Sequence, residues 1–481
     1  MAAAAPDPRR WKALALLCTA FFMVVLDVAI VNVALPKIGE SMKVNSDSAA
    51  WVLIAYTLTY GGFLLLGGRA ADLLGRRRMF SVGVVVFTLA SLACALSTTQ
   101  AMLVSARTIQ GLGAAIVTPA ALSIVSTTFA EGAERNKALG IWGAVGGSGA
   151  AVGVLAGGLL VGPFGWASIF YINVPVGIAV LLLTRRLVDE SHADAGHRQY
   201  DPLGALTVTG SLVALVYAIS RAPAHGVGWA STQTIGLLVL SALLMAAFIV
   251  IESRVQHPLA PLGFFRIRTV AGANIVGLLL GGCLFGSFFM LTFYMQSVLA
   301  YSARQAGIAF LATAGTAVVA AGVSQALVTK IGPRIVMSVG LALVAAGQLW
   351  YTQIPVTGHY FWDLFPGFVA TGVGLAFGFV PISIVGLAGI SPSDAGLASG
   401  LINTTQQIGG ALGTAIVVTA STTRVNHLVA EHASPAVAIT GGAHWAFWSG
   451  ALIAVLGTVA AFTLVRGRDI EPAAEPVPTP A

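Results

Sequence analysis

Apolar runs recur along this chain with only short polar breaks, and each is near the roughly 20 residues that cross a bilayer as a helix. Fourteen are read, over 12–35, 50–70, 79–97, 101–126, 138–162, 166–185, 203–220, 230–252, 269–298, 305–328, 335–353, 362–388, 396–421 and 444–465. Of the 481 residues 57% are hydrophobic and 9% charged, where a soluble domain carries about 25% charge. The expected fold is an all-α polytopic membrane protein with 14 transmembrane helices.

The opening MAAAAPDPRRWKALALLCTAFF mimics a secretory signal. Its apolar stretch runs on to Pro36, too long for a signal core, and no good small-residue cleavage site follows. It is read as a first span with a basic flank. The formal charge of +7 does not point to nucleic acid, because the basic residues sit in short clusters between spans. With the N-terminus inside, 19 of the 25 Lys and Arg fall in inner segments, five in outer loops, and Arg107 within a span. That asymmetry predicts a multi-pass protein of the cell (inner or plasma) membrane with both termini cytoplasmic.

A weak internal repeat is present. Gly75 with its basic cluster recurs as Gly332-Pro333-Arg334, 257 residues on; Ala138-Leu139-Gly140 recurs as Ala398-Ser399-Gly400, 260 on; Pro119 recurs as Pro381, 262 on. Near-equal displacements imply two related halves, an arrangement found in transporters. The division read from this is a cytoplasmic N-terminus (1–11), a six-helix bundle (12–185), a linker with an inserted hairpin of spans 7 and 8 and an interfacial segment (186–268), a second six-helix bundle (269–465), and a disordered tail (466–481).

Asp27 lies inside FFMVVLDVAIVNVALP and is the only acid placed near a bilayer midplane. A charge there costs a few kcal/mol and faces a partner or a water-filled cavity. Arg107 and Gln110 are one turn apart on span 4, at a depth similar to Asp27, and a buried arginine needs a partner. The readings are a coupled pair of Asp27 and Arg107, a static ion pair, or an arginine bonded to carbonyls.

Residues 68–78, GRAADLLGRRR, form an inner loop in which Gly68 and Gly75 allow close approach and a tight turn. Asp72 is within reach of Arg76, Arg77 and Arg78, which makes either a conformation-dependent charge latch or an incidental acid in a basic cluster. Gly146, Gly149, Gly153 and Gly157 form one small-residue stripe on span 5, suited to close helix packing. Asn32, Gln110, Phe288, Gln296, Asn403 and Gln407 are candidates for a central cavity binding an amphipathic or cationic organic compound; packing between helices explains the same residues. Cys18, Cys94 and Cys283 show no disulfide or metal-ligand spacing. No catalytic arrangement, metal site or ATP-binding motif stands out, so neither an enzyme nor an ATP-driven pump is expected.

GRAADLLGRRR resembles the inner-loop signature of the major facilitator superfamily. LDVAIVNVALP, RTIQGLGAA, ERNKALGIWGAVG, WASIFYINVPVG and ASGLINTTQQIGGALG resemble, in order, motifs of its fourteen-span drug:proton antiporter branch. The resemblance implies two six-helix bundles working by alternating access, proton movement linked to Arg107, and multidrug or antibiotic efflux driven by the proton gradient without another cofactor. The implied partners are a small organic substrate, protons and the lipid bilayer, with no nucleic acid and no ATP, and a monomer is expected. One departure stands in span 5, where Ala150 and Val154 replace the prolines of the antiporter motif. A proton symporter or uniporter, and a non-transporting membrane receptor, are the alternative readings.

Overall fold

The structure, a computed structural model, describes residues 9–129, 133–191, 201–222, 228–255, 258, 262–388, 390 and 395–465; within these it omits the side chains of 46, 47, 72, 133, 136, 139, 140, 143, 144, 146–148, 150, 151, 262 and 395–397. All regular structure among the described residues is helical. The earlier helices are α1 (Arg10–Met42), α2 (Ser46–Leu74), α3 (Arg76–Ala95), α4 (Gln100–Thr128), α5 (Ala133–Phe164), α6 (Ser168–Tyr171) and α7 (Asn173–Leu187). A pair follows, α8 (Pro202–Arg221) and α9 (Thr232–Arg254). The later helices are α10 (Arg268–Ser297), α11 (Ala303–Ala309), α12 (Leu311–Ile331), α13 (Pro333–Tyr351), α14 (Phe365–Val385), α15 (Ala395–Ala430) and α16 (Pro435–Leu464). Twelve helical stretches among the described residues are long and apolar enough to cross a membrane; α5 and α15 are not among them.

Polar side chains set many helix starts by accepting the free N–H groups of the first turn. Asn45 accepts from Ser48 N at 3.0 Å, Asp201 from Gly204 N at 2.7 Å, and Ser302 and Gln305 form a reciprocal capping box. Gly75 (φ 107°) and Gly332 (φ 84°) make the tight turns between α2 and α3 and between α12 and α13, in a region that penalises a Cβ. Pro36 does not end the first helix: α1 continues to Met42 and stops at Lys43 in the left-handed region. Proline removes only one N–H there, and Lys37–Glu40 (2.7 Å) supports the last turn. Span 6 is divided into α6 and α7, and span 10 into α11 and α12.

The same packing is built twice. A Cβ at Gly111 would strike Thr59 Oγ1 and the Tyr56 carbonyl, and one at Gly372 would strike Thr316 Oγ1 and the Thr313 carbonyl. Gly113 lies on Phe87 N, and Gly374 on Val344 N. The partners are displaced by 257 positions and the glycines by 261. The weak sequence repeat is thus a repeat of contacts, in which α2, α3 and α4 correspond to α12, α13 and α14.

The start of α1 and the end of α16 lie at one face of the described bundle, opposite the core that joins Ile38 of α1 to Phe447 of α16; there Arg10 Nη2 pairs with Glu134 (2.6 Å) and Arg268 Nη2 donates to the Thr463 carbonyl (2.9 Å). At this terminal face the apolar cores are separate. One joins Leu14, Phe80, Ile124 and Val180 of the earlier helices, and another joins Leu280, Leu341, Ile382 and Ala461 of the later ones. At the far face a single core runs across both groups, taking in Ile30, Ile38, Phe170, Met295, Phe310 and Phe447. Glycines make that closure tight: Gly158 of α5 sits against the Ala303 carbonyl, Gly307 of α11 against the Val154 carbonyl, and Gln296 donates to Val33 O at 2.9 Å. Between the groups α8 touches both, with Thr209 on Gly62 of α2 and Thr419 of α15 donating to the Ile219 carbonyl (3.1 Å). Ser211 and Ser241 join α8 to α9.

Candidate functional site

Asp27 is fully buried, and so is Arg107. Arg107 Nη1 donates to Asp27 Oδ2 in a short, direct ion pair. Gln110 Nε2 and Asn173 Nδ2 each donate to Asp27 Oδ1 at 2.9 Å. Three donors from α4 and α7 therefore converge on a carboxylate of α1. The guanidinium is held in turn: Nε donates to the Val52 carbonyl (3.0 Å), Nη1 also reaches Gln110 Oε1 (2.8 Å), and its face lies 4.1 Å from the centre of the Tyr56 ring. Asn173 also donates to Ser91 Oγ (3.0 Å), which donates to the Phe170 carbonyl (2.9 Å).

Local sequence explains this placement. The i, i+3 spacing puts Arg107 and Gln110 on one face of α4. Gly111 beside them lets α2 approach so closely that Val52 becomes reachable. Gly149, Gly153 and Gly157 of α5 pack on Val25, Ala29 and Ile30 of α1 and hold the Asp27 helix against its neighbours. Gly146 lies in α5 before them, at a position whose side-chain surroundings are outside the description. Chemically the site is a carboxylate with three donors in an apolar surround. Protonating Asp27 would remove the charge that compensates Arg107, and an uncompensated buried charge costs several kcal/mol.

The chain matches the family model described as Major Facilitator Superfamily over residues 17–414.

It belongs to that superfamily.

The facilitator is 40% identical over 472 residues to the puromycin resistance protein pur8 of Streptomyces alboniger, covering 96% of this chain and 93% of that protein. It is 38% identical over 425 residues to the cephamycin export protein CmcT of Amycolatopsis lactamdurans, covering 88% and 87%. The tetracenomycin C resistance and export protein of Streptomyces glaucescens is 34% identical over 419 residues, covering 87% of this chain and 77% of its own. Among solved structures, a bacterial homologue of the human lysosomal transporter Spinster, inward-facing and unoccupied, has a TM-score of 0.67 at 17% identity and covers 97% of this chain and 98% of its own. The fold of the facilitator is the all-helical one of these transporters.

The structure distributes the other candidates over several places. Gln110 is bound into the Asp27 cluster and is fully buried, so it does not face an open cavity. Gln296 spans from α10 to α1 at the far face. Asn32 is 7% exposed, with its amide nitrogen on the Val28 carbonyl and Oδ1 unpaired. Gln407, with Oε1 unpaired, rests on Gly61 where α15 meets α2. Asn403 is exposed and donates to the Ser399 carbonyl of its own helix (3.1 Å). Phe288 packs on Phe310 (4.9 Å between ring centres) within the later helices.

At the inner loop the Asp72 side chain lies outside the described residues. The acid seen holding the loop is Glu190, just after α7. It accepts from Arg77 N (3.0 Å) and Arg78 N (3.1 Å), with Arg77 Nε at 3.8 Å. Arg76 N donates to the Ser191 carbonyl (3.0 Å), and Gly68 approaches Pro119 of α4. Glu190 was not read from the sequence. It lies 113 and 112 residues from Arg77 and Arg78, although an acid ready to cap a helix N-terminus beside three arginines is chemically apt. Asn173 and Ser91 were also missed; the available signal was an asparagine inside an apolar run.

Proposed function

We propose that this facilitator exports small amphipathic organic compounds, of the kind antibiotics represent, in exchange for protons by alternating access. The observation that carries the reading is the buried Asp27 carboxylate with Arg107, Gln110 and Asn173 converging on it. A buried carboxylate whose charge holds helices together is suited to couple protonation to helix movement. In this reading α5 and α15 complete fourteen membrane-crossing helices, arranged as two six-helix bundles with α8 and α9 as an inserted hairpin. Both termini are cytoplasmic, which makes the separated terminal face the inward-open side.

The cycle follows from the charges. With the far face sealed, Asp27 is ionised and paired, and cargo enters from the cytoplasm between the groups, near Asn32, Asn403 and Gln407. When the far face opens, a proton reaches Asp27 and neutralises it. Arg107 then loses its counter-charge and must be resolvated or re-paired, which favours return to the other conformer. Each proton moved inward supplies about 2.3 kcal/mol per 100 mV.

The test uses everted vesicles with an established proton gradient and a panel of chemically varied antibiotics. We expect added cargo to release protons from vesicles carrying the native chain. Asp27→Asn is expected to abolish that release while the protein still inserts; normal exchange by this variant would sink the proposal. One observation favours a second reading, proton-coupled uptake by symport. Ala150 and Val154 stand where the antiporter motif has prolines, and α5 runs unbroken from Ala133, its one proline being Pro163 in the last turn. Cargo and protons moving in the same direction in the vesicles would establish it.

A further inference from the structure

The three donors on Asp27 are not equivalent. Arg107 Nη1 meets Oδ2, whereas Gln110 Nε2 and Asn173 Nδ2 both meet Oδ1. Arg107 and Gln110 stand one turn apart on α4, so a shift of that helix moves both. Asn173 opens α7 and is tied to a third helix. Its Nδ2 also donates to Ser91 Oγ of α3 (3.0 Å), and Ser91 gives its one hydrogen to the Phe170 carbonyl (2.9 Å). Towards Asn173 the serine can therefore only accept, which fixes the amide with its nitrogen on Asp27. Gly177, one turn further along α7, lies against Thr88 Oγ1, one turn before Ser91, and brings the two helices together here.

The later helices lack this donor. α7 ends at Leu187 and α16 at Leu464. On that register Phe170 falls on Phe447 and Asn173 on Gly450, all of them buried. Gly450 lies against Gln348, which stands 257 positions after Ser91. The contact between these helices is repeated, but α16 has no side chain at this place to reach α10.

An amide nitrogen donates and does not accept. A proton on Oδ1 would face two N–H groups and break both bonds. A proton on Oδ2 leaves Oδ1 as a carbonyl oxygen, which accepts from the same N–H groups as before. Among the described residues, Tyr56 of α2 and Cys94 of α3 are the other titratable groups facing the pair, and a phenol and a thiol carry no charge near neutral pH. Resting on the proton-coupling reading of Asp27, we propose that Asn173 is a positioning residue that keeps its bond to Oδ1 in both charge states, so that the coupled proton is taken up on Oδ2 and displaces Arg107. α1 then stays fastened to α7 and α3 while its charged contact with α4 is released. One oxygen of Asp27 is held, and the other switches.

Infrared spectroscopy of the full-length protein in lipid nanodiscs tests this. Subtracting the spectrum of Asp27→Asn from that of the native chain at low pH isolates the carbonyl stretch of protonated Asp27, whose frequency falls when the oxygen accepts a hydrogen bond. The native band should lie below that of an unbonded carboxylic acid. Asn173→Leu, which keeps the volume, and Asn173→Ala, each measured against the same chain with Asp27→Asn added, should move the band upward. A loss of packing alone would leave its position unchanged. A band unmoved in either variant that folds overturns the proposal. So does a native band at the unbonded position, whether or not the variants fold. If the native chain shows no Asp27 carbonyl band at any pH at which it stays folded, the proton-coupling reading itself falls and takes this assignment with it, so the two failures are told apart.

Discussion

Asp27 and Arg107 pair in the earlier helices, whereas Ser287 and Phe368 stand 260 and 261 positions on in the later ones. The scaffold around the two places is the same. Gly111 and Gly372 bring the flanking helix equally close, and Gly113 and Gly374 repeat the next contact along. What the repeat preserves is therefore the approach of the backbones. The side chains set into that frame diverge: one set carries opposite charges locked together, the other is neutral.

The largest test of this contrast removes one partner of the charged site. Arg107→Leu leaves the Asp27 carboxylate buried without its counter-charge, and we expect a loss of about 3–5 kcal/mol in thermal unfolding. Adding Asp27→Asn should recover most of it. Phe368→Leu, at the matching place, should cost less than about 1.5 kcal/mol, as hydrophobic swaps of similar volume do. Equal losses at the two positions would break the comparison.

The shared frame is tested by Gly111→Ala and Gly372→Ala. Each new methyl meets a threonine hydroxyl and a backbone carbonyl, so each should cost about 1–3 kcal/mol. The two values should agree within about 0.5 kcal/mol, near the error expected for independent sites. The smallest effect concerns the inner turns. α3 offers the N–H groups of Arg77 and Arg78 to Glu190, but α13 begins with Pro333, which has no N–H to give. Glu190→Gln should lower stability by at most about 1 kcal/mol, since the pair is partly exposed, and the loss should shrink as salt is raised.

How much of this was legible in the sequence depended on the cost of each residue. Asp27 and Arg107 are expensive in an apolar run and have few ways of being satisfied, so their similar depth was legible, while their direct contact was left open. Gly75 and Gly332 were legible because a turn with positive φ admits little else. Asn173 and Ser91 were not, because single neutral polar residues in apolar helices commonly bond to their own backbone. The direction in which Gln296, Asn403 and Gln407 face was hidden for another reason. Helices that are apolar on all sides carry no periodicity to mark an inner face. The span read over 12–35 marks the apolar stretch only; α1 itself runs on through Pro36 to Met42, since one missing N–H does not end a helix.

The position of α8 has a consequence for traffic from the bilayer. Two seams run lengthwise where the earlier and later helices meet, α2 beside α15 and α5 beside α11. Thr209 on Gly62 and Thr419 on the Ile219 carbonyl make α8 a batten over the first; no described helix makes such contacts over the second. An oily compound arriving from within the membrane finds one flank boarded and the other bare. For such a compound the molecule has a front and a back, although its contacts repeat almost symmetrically inside.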